Sequence, residues 1–159
     1  MFEVGEKVVY PLHGATTIKN IIKKKIEGKP LRFYVIEIPN ERLVVQIPVT
    51  NAKEIGLRKV ISSEEAEEVL KILLEKRKSK ASKNWSRRFK KNIEKMKTNN
   101  VIELVEVVRN LSSRDKKYGL SVGEKRMLEK AKSILVSEIA YAQDLDEEEA
   151  LTKVESYFI

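Results

Sequence analysis

The chain divides near residue 61 into two segments with different residue patterns, and this division limits the folds it can adopt. Before residue 61, β-branched and aromatic residues occur in short runs between turn residues, which is typical of short strands. After it, apolar residues recur every three or four positions, which is typical of amphipathic helices. All four prolines lie in the first segment, so none interrupts a long helix in the second. The sequence therefore predicts an α+β protein with a β module over residues 1–61 and a compact all-helical module over residues 62–159.

The first segment contains four predicted strands. Glu27-Gly28-Lys29 forms a tight turn between the second and the third, and the strands cover residues Lys7–Tyr10, Ala15–Lys25, Leu31–Ile38 and Leu43–Ile47. Pro11, Pro39-Asn40 and Pro48 stand at strand ends, where the missing N–H of proline costs little. Because closure removes exposed sheet edges, several short strands in one small segment predict a small barrel.

The second segment carries four helix-start signals, in each of which a capping residue is followed three positions later by glutamate. These pairs are Ser62 with Glu65, Asn100 with Glu103, Ser121 with Glu124 and Asp146 with Glu149. A further, basic helix is predicted to begin between residues 82 and 86 and to end near residues 98–100, after a Lys/Ser-rich loop over residues 77–83. The acidic run at residues 144–149 lacks the glycine and the spacing of a calcium loop, so it is interpreted as a helix start.

Positive charge is concentrated between Lys76 and Lys97. This stretch contains eleven Lys or Arg and a single acid, Glu94, so it carries +10, whereas the whole chain carries +8. Acids four residues away from these cations are almost missing, so pairing within a helix cannot neutralise the run. Clustered Lys and Arg displace counterions from phosphates, which favours a nucleic-acid surface over a merely solvated helix face.

The only tryptophan, Trp85, lies inside this basic run. Phe89, Ile93 and Met96 follow it at spacings of four, four and three, which would place all four side chains on one helix face, as in a core. Trp85 also lies at the predicted helix start beside Arg87, where apolar cover would have to come from elsewhere. The sequence leaves two roles open for the ring: a core residue, or an exposed aromatic that stacks on a base or wedges between base steps.

Other function classes find little support in the sequence. Cysteine is absent, which excludes disulfides and thiolate metal sites and fits a reducing cytosol, and the single histidine, His13, cannot form a His-based cluster and is predicted to lie in a turn with Gly14. No nucleophile-elbow, P-loop or zincin pattern occurs, so we expect neither an enzyme nor a cofactor. No apolar run approaches the ~18 residues of a membrane span, so we expect a cytoplasmic protein with no membrane partner and no small-molecule substrate.

Two groups of motifs resemble the CarD/CdnL family of bacterial transcription regulators over nearly the whole chain. The first group runs from Val4 to Gly14 (VGEKVVYPLHG) and continues at residues 56–58 (GLR). The second group comprises residues 84–90 (NWSRRFK), 106–109 (EVVR) and 119–128 (GLSVGEKRML). KOW and Tudor-like barrels share a pattern similar to the first group, whereas two long motifs in this order are specific.

The resemblance implies two modules with separate partners. The N-terminal one would be a Tudor-like barrel that binds the β subunit of bacterial RNA polymerase. The C-terminal helical one would contact promoter DNA just upstream of the −10 element, largely independently of sequence, and stabilise the open promoter complex. Family members are not enzymes and need no cofactor.

The resemblance also assigns site residues. The family's DNA-wedging tryptophan corresponds to Trp85 and a DNA-contacting lysine to Lys90, and the candidate DNA surface as a whole is Trp85, Arg87, Arg88, Lys90 and Lys91. The candidate polymerase surface is Lys24, Ile26 and Gln46. Lys24 takes the place of a family arginine and keeps its charge without the fork geometry, whereas Gln46 takes the place of a second arginine and removes a charge.

Two other functions stay open at this level. One is a KOW or Tudor-like barrel fused to a helical domain that binds RNA or the ribosome, and it would bind structured RNA in place of promoter complexes. The other is an architectural DNA binder without a polymerase contact, whose isolated barrel would not retain polymerase.

Overall fold

A computed structural model describes residues 1–38, 41–75 and 84–158 of the chain. The predicted strand end at Pro39 and Asn40 and the predicted loop over residues 77–83 lie outside the described residues. The described residues form an antiparallel sheet followed by a helical module, which confirms the α+β class.

Five strands pair antiparallel in the order β4-β3-β2-β1-β5. They are β1 (Lys7–Tyr10), β2 (Gly14–Ile26), β3 (Lys29–Ile38), β4 (Leu43–Pro48) and β5 (Arg58–Lys59). The four predicted strands are thus confirmed, and the two-residue β5 is an addition that the sequence did not predict. Glu27 and Gly28 join β2 to β3 with positive φ angles of 52° and 79°, which is the backbone geometry of a two-residue hairpin turn.

The sheet is open, whereas the sequence predicted a closed barrel. β4 and β5 lie at opposite edges, and within the described part of the chain no pairing joins them. A short 3₁₀ turn (Val49–Asn51) leads from β4 into the short helix α1 (Ala52–Ile55). The apolar side of the sheet packs against Ala52 and Leu57 of this connecting segment, and its buried side chains are Val8, Ile18, Tyr34, Ile36 and Ile47. Cover from this segment therefore buries the apolar face without edge-to-edge closure.

The helical module contains α2 (Ser63–Lys71), α3 (Trp85–Lys97), α4 (Val101–Tyr118), α5 (Val122–Gln143) and α6 (Glu147–Glu155), with a 3₁₀ turn (Ile72–Leu74) after α2. The predicted caps are confirmed, because the side chains of Ser62, Asn100, Ser121 and Asp146 each accept a hydrogen bond from the backbone N–H three residues ahead. The acidic run is a helix start as predicted, with a reciprocal capping box between Asp146 and Glu149.

Helix α5 is the centre of the helical module. Its apolar stripe includes Ala131, Leu135 and Ile139, and these side chains are fully buried. Helices α2, α4 and α6 pack around it. None of the described helices is long and apolar enough to cross a membrane.

The far half of α5 also joins the helical module to the sheet. Glu138, whose side chain has no exposed surface, accepts two hydrogen bonds of 2.7 Å from the guanidinium of Arg58 on β5. The backbone N–H of Ile61 donates to the same carboxylate at 3.0 Å. This bidentate pair, with both carboxylate oxygens bonded, fixes the geometry between the two modules.

Two further contacts tighten this module junction. The Asn99 amide, in the turn between α3 and α4, donates to the carbonyls of Val9 at 3.2 Å and Gly56 at 2.6 Å. The Ala15 N–H donates to Ser137 Oγ of α5 at 3.0 Å. Gly14, with φ at +96°, allows this approach, because a Cβ there would lie 2.5 Å from Ser137 Oγ.

Candidate nucleic-acid interface

The candidate interface is built at the first turn of α3. Asn84 caps this helix by accepting a hydrogen bond from the Arg87 N–H at 3.3 Å. The cap satisfies a free backbone N–H of the first turn and makes Trp85 the first helical residue. Trp85 lies there with 44% of its surface exposed. The structure thus selects the exposed alternative for the tryptophan over the core one.

The side chains on the predicted shared face of α3 become more buried from the N-terminal to the C-terminal end of the helix. Phe89 and Ile93 are partly buried against the core of the helical module, and Met96 is fully within it. The Trp85 ring stacks on Phe89, with ring centroids 5.2 Å apart and planes at 17°. The face therefore anchors the helix at its C-terminal end and presents an aromatic ring at its N-terminal end.

The basic side chains of the first two turns do not all face solvent. Arg87, Lys90 and Lys91 are exposed, as a phosphate-binding surface requires. Arg88 is buried, and its Nη2 lies 3.8 Å from Glu124 Oε1 of α5, with side-chain exposures of 7% and 4% for the two residues. Arg88, which the sequence analysis placed on the DNA surface, is thus buried in this structure, and its guanidinium faces a buried carboxylate.

Ser121 is a contact that the sequence did not reveal. The Trp85 Nε1–H donates to Ser121 Oγ at 2.9 Å, across 36 residues of chain. From the sequence, Ser121 is predicted only as the cap of α5, a role it also fills by accepting from the Glu124 N–H at 3.2 Å. No local pattern marks a contact between two residues so far apart.

A second exposed aromatic lies close to this edge, in the last turn of α4. Tyr118 is 67% exposed, and the cationic groups of Arg114 and Lys117 each lie 5.2 Å from its ring centroid. Tyr118 lies three positions before Ser121, which contacts Trp85, so positive and aromatic side chains occur both at the α3 start and before the α4–α5 turn.

The candidate polymerase residues lie together on the outer face of the sheet. Lys24 on β2 donates through Nζ to Gln46 Oε1 on β4, and its ammonium lies 5.8 Å from the centroid of the Phe33 ring. Ile26 is 45% exposed and lies two residues further along β2, on the same face as Lys24. The structure thus brings Lys24 and Gln46 into contact, with glutamine as the acceptor, and places Ile26 on the same face nearer the β2–β3 turn.

His13 lies in the predicted turn. Its ring stacks on Tyr10 with centroids 5.1 Å apart, and its Nδ1 is 3.4 Å from Glu41 Oε2. These contacts place it at the module junction side of β1, away from both candidate surfaces.

Two family descriptions match the chain. One, "CarD, C-terminal domain", covers residues 68–155, and the other, "CarD-like/TRCF RID domain", covers residues 2–61. The chain belongs to the CarD family of transcription regulators. A curated relative of this CarD-family chain is the protein named "Putative transcription factor YdeB" of Bacillus subtilis (strain 168). It is 31% identical over 149 residues, which cover 94% of this chain and 97% of the relative.

The family motifs fall on two different parts of this CarD-family structure. The segment from Asn84 to Lys90 caps and begins α3, where Trp85, Arg87 and Lys90 are exposed. The first motif group contributes Gly14 and Arg58 to the module junction. Gly56 allows a close approach within the β module, because a Cβ at its φ of +94° would lie 3.2 Å from Pro11 Cγ. Some motif residues therefore lie at the module junction and others at the start of α3, while Val8 and Val107 are core residues of the two modules.

Proposed function

We propose that this transcription regulator binds the β subunit of RNA polymerase through residues 1–61 and promoter DNA through residues 62–159, and stabilises the open promoter complex. The DNA contact lies just upstream of the −10 element. The family resemblance also assigns the N-terminal module to the Tudor-like class. We keep the polymerase partner that this class implies, although the sheet is open. The observation that carries the proposal is the half-exposed Trp85 ring at the outer end of a basic helix.

The exposed cations of α3 suit a phosphate backbone. Arg87, Lys90 and Lys91 point to solvent on the first two turns, beside the ring of Trp85. Such side chains gain affinity by releasing counterions from DNA, and this gain does not depend on base sequence. Contacts to phosphates position a protein on the duplex without reading bases. The surface is therefore suited to many promoters.

An exposed tryptophan gives the surface a preference for melted DNA. Apolar side chains that wedge between base steps must unstack them, at a cost of roughly a few kcal/mol per step. At the edge of an open complex this cost has already been met by strand separation. A ligand shifts an equilibrium only by its differential affinity for the two states, so such a wedge favours the open complex over the closed one.

The sheet supplies the tether. The module that carries Lys24, Ile26 and Gln46 matches the description of a CarD-like/TRCF RID domain. The patch combines the exposed Ile26 side chain with the ammonium groups of Lys24 and of Lys29, the cross-strand neighbour of Ile26, and mixed apolar and polar surface is typical of protein–protein interfaces. Tethering to polymerase raises the local concentration of the helical module, so a weak DNA affinity suffices. The bidentate contact between Arg58 and Glu138 holds the two surfaces at a fixed separation.

The experiment compares the stability of the protein with the lifetime of the open complex on one promoter. Trp85→Ala removes a half-exposed ring, so the free energy of unfolding should fall by only about 1 kcal/mol, less than the 3–5 kcal/mol of a buried aromatic. The open complex formed with this variant should decay several-fold faster. Trp85→Phe should retain part of the effect, because a smaller ring can still wedge.

Leu151→Ala is the matched control. Leu151 is 38% exposed on α6, so its truncation removes a partly exposed apolar side chain away from α3. This variant should leave the open-complex lifetime unchanged. A Trp85→Ala protein that melts at a much lower temperature but supports a normal lifetime would rule out the proposed role of the ring.

A further inference from the structure

A chain of polar contacts starts at Trp85, crosses to α5 and returns to α3. The Trp85 Nε1–H donates to Ser121 Oγ at 2.9 Å. Ser121 Oγ donates to Glu124 Oε1 at 3.2 Å, and this oxygen lies 3.8 Å from Arg88 Nη2. Trp85 and Arg88 lie in the first turn of α3, while Ser121 and Glu124 lie at the start of α5. We call Ser121, Glu124 and Arg88 the support group.

The Ser121 hydroxyl uses its whole hydrogen-bonding capacity in this group. A serine hydroxyl has one proton to donate and two lone pairs to accept with. The proton goes to the Glu124 carboxylate, and the lone pairs take the Glu124 N–H at 3.2 Å and the Trp85 N–H. The carboxylate therefore decides how the hydroxyl is rotated, and the rotated hydroxyl offers a lone pair to the indole.

Arg88 supports the carboxylate. Glu124 is 3% exposed, and a buried carboxylate needs a nearby positive charge or several hydrogen bonds. The Arg88 guanidinium, itself buried, supplies that charge from the same helix turn that carries Trp85. Because Arg88 is buried, the role that we assign to it is this contact with Glu124 rather than one with DNA phosphates.

Apolar contacts restrict the indole from its other sides. Phe89 stacks on the ring at 5.2 Å, one helical turn further along α3. The backbone of α5 lies against the two rings at Gly123, where a Cβ would be at ordinary van der Waals distance, 3.8 Å from Trp85 Cζ2 and 3.5 Å from Phe89 Cε2. The ring is thus exposed and restrained at the same time.

We propose that Ser121, Glu124 and Arg88 are positioning residues that hold the Trp85 indole in its DNA-binding orientation before DNA is present. This inference rests on the proposed function and adds to it the source of the ring's orientation. A side chain that is already ordered loses less conformational entropy on binding. Support from α5 therefore makes the wedge effective although nearly half of the ring is in water.

The test uses Ser121→Gly, with Ser121→Thr as the conservative variant and Ser62→Gly as the matched control. Glycine is tolerated at a helix N-cap, so Ser121→Gly removes the hydroxyl at little cost to α5. Ser62 caps α2 in the same way, accepting from the Glu65 N–H at 3.1 Å, but it belongs to another helix. Threonine at position 121 retains a hydroxyl for both the cap and the indole.

Two readouts are made on the full-length protein. Because Trp85 is the only tryptophan, its fluorescence anisotropy decay reports the motion of this ring alone. Ser121→Gly should add a fast depolarisation component and shorten the open-complex lifetime about 2- to 10-fold, the range expected when one side chain must be ordered on binding. Ser121→Thr should restore both values, and Ser62→Gly should match the parent protein in both.

The outcomes separate this inference from the proposed function. An unchanged anisotropy decay in Ser121→Gly, or the same change in Ser62→Gly, would overturn the positioning role. If the ring becomes mobile while neither Ser121→Gly nor Trp85→Ala alters the open complex, the support group stands and the wedge function fails. If Trp85→Ala shortens the lifetime but a mobile ring in Ser121→Gly does not, the wedge stands and preorganisation is refuted.

Discussion

Helix α5 carries the same chemical pair near each of its two ends, in two different arrangements. Glu138 near its C-terminal end forms two hydrogen bonds of 2.7 Å with Arg58, while Glu124 in its first turn lies 3.8 Å from Arg88. Both carboxylates are buried. The 14 positions between them correspond to about 21 Å along the helix axis.

The difference follows from what each pair joins. Arg58 and Glu138 belong to different modules, and a bidentate contact sets both the distance and the angle between them. Arg88 and Glu124 belong to helices of the same module, whose packing is already set by a shared apolar core. The first pair therefore serves the module junction, and the second serves the half-exposed ring above it. One long helix thus connects the module junction with the candidate interface.

The largest expected effect is at the junction. Glu138→Ala leaves the Arg58 guanidinium without its carboxylate, and breaking such a pair lowers the free energy of unfolding by about 3 kcal/mol. Glu124→Ala breaks the longer contact and should cost about half as much by the same reasoning. Urea denaturation of both variants measures the difference. Equal losses would mean that the two pairs are energetically equivalent despite their geometry.

The next effect separates two adjacent arginines. Arg88→Ala should lower the free energy of unfolding by about 2 kcal/mol, since it removes one partner of a buried pair. Arg87→Ala should leave stability within about 0.5 kcal/mol and instead reduce the log–log salt slope of DNA binding by roughly 0.9, as the loss of one phosphate contact predicts.

Thermal melting and DNA titrations at several salt concentrations give both quantities for each variant. Lys90→Ala serves as a second exposed variant and should behave like Arg87→Ala. A reduced salt slope in Arg88→Ala, without a change in melting temperature, would return Arg88 to the DNA surface.

A smaller effect is expected on the other side of the junction. Lys24→Glu reverses a charge within the outer patch of the sheet and should weaken binding to the polymerase β subunit by about 1 kcal/mol. Lys25→Glu makes the same change on the opposite face of β2 and is the control. Titration with the β subunit checks both, and Trp85 fluorescence should be unaffected in each. Equal weakening by the two variants would indicate a non-specific charge effect.

The smallest effect concerns a polar cluster of Glu67 on α2, Gln143 at the end of α5 and Lys153 on α6. Hydrogen bonds from Lys153, and then from Gln143 at the end of α5, hold the pKa of Glu67 below its ordinary value of 4.5. A lowered pKa in the folded state stabilises the protein above the unfolded pKa, and this contribution is lost as pH falls through the folded pKa. Glu67→Gln should therefore reduce the loss of stability below pH 4.5 by a fraction of a kcal/mol, as for other exposed ion pairs.

Melting curves between neutral and acid pH test this prediction, with Glu64→Gln on the same helix as the control. Burial, then the negative charge of Glu67 and the hydrogen bond that Tyr157 donates to it, raise the pKa of the Tyr157 hydroxyl. If stability falls equally toward acid pH in Glu67→Gln and in the parent protein, the cluster contributes nothing to stability.

The sequence by itself determined the local structure of this protein. Strands, hairpin turn and helix caps follow from period-two and period-3.6 patterns and from hydrogen bonds that span three residues, as at Asp146 and Glu149. It also determined the family, because the motifs are contiguous, and the position of the positive charge. Each of these depends on residues that are neighbours along the chain.

Tertiary packing alone decided the contacts that give those residues their roles. Arg87 and Arg88 are chemically identical neighbours, and only the seating of α3 on α5 exposes one and buries the other. The sequence left the burial of Trp85 open, and its partner Ser121 lies 36 residues away. The sheet stays open because α1 and Leu57 cover its apolar face. The alternation of residues along the strands does not predict this packing. Burial and long-range pairing depend on which surfaces pack against each other. The periodicity of a sequence indicates only that an element has an apolar face, not what packs against it.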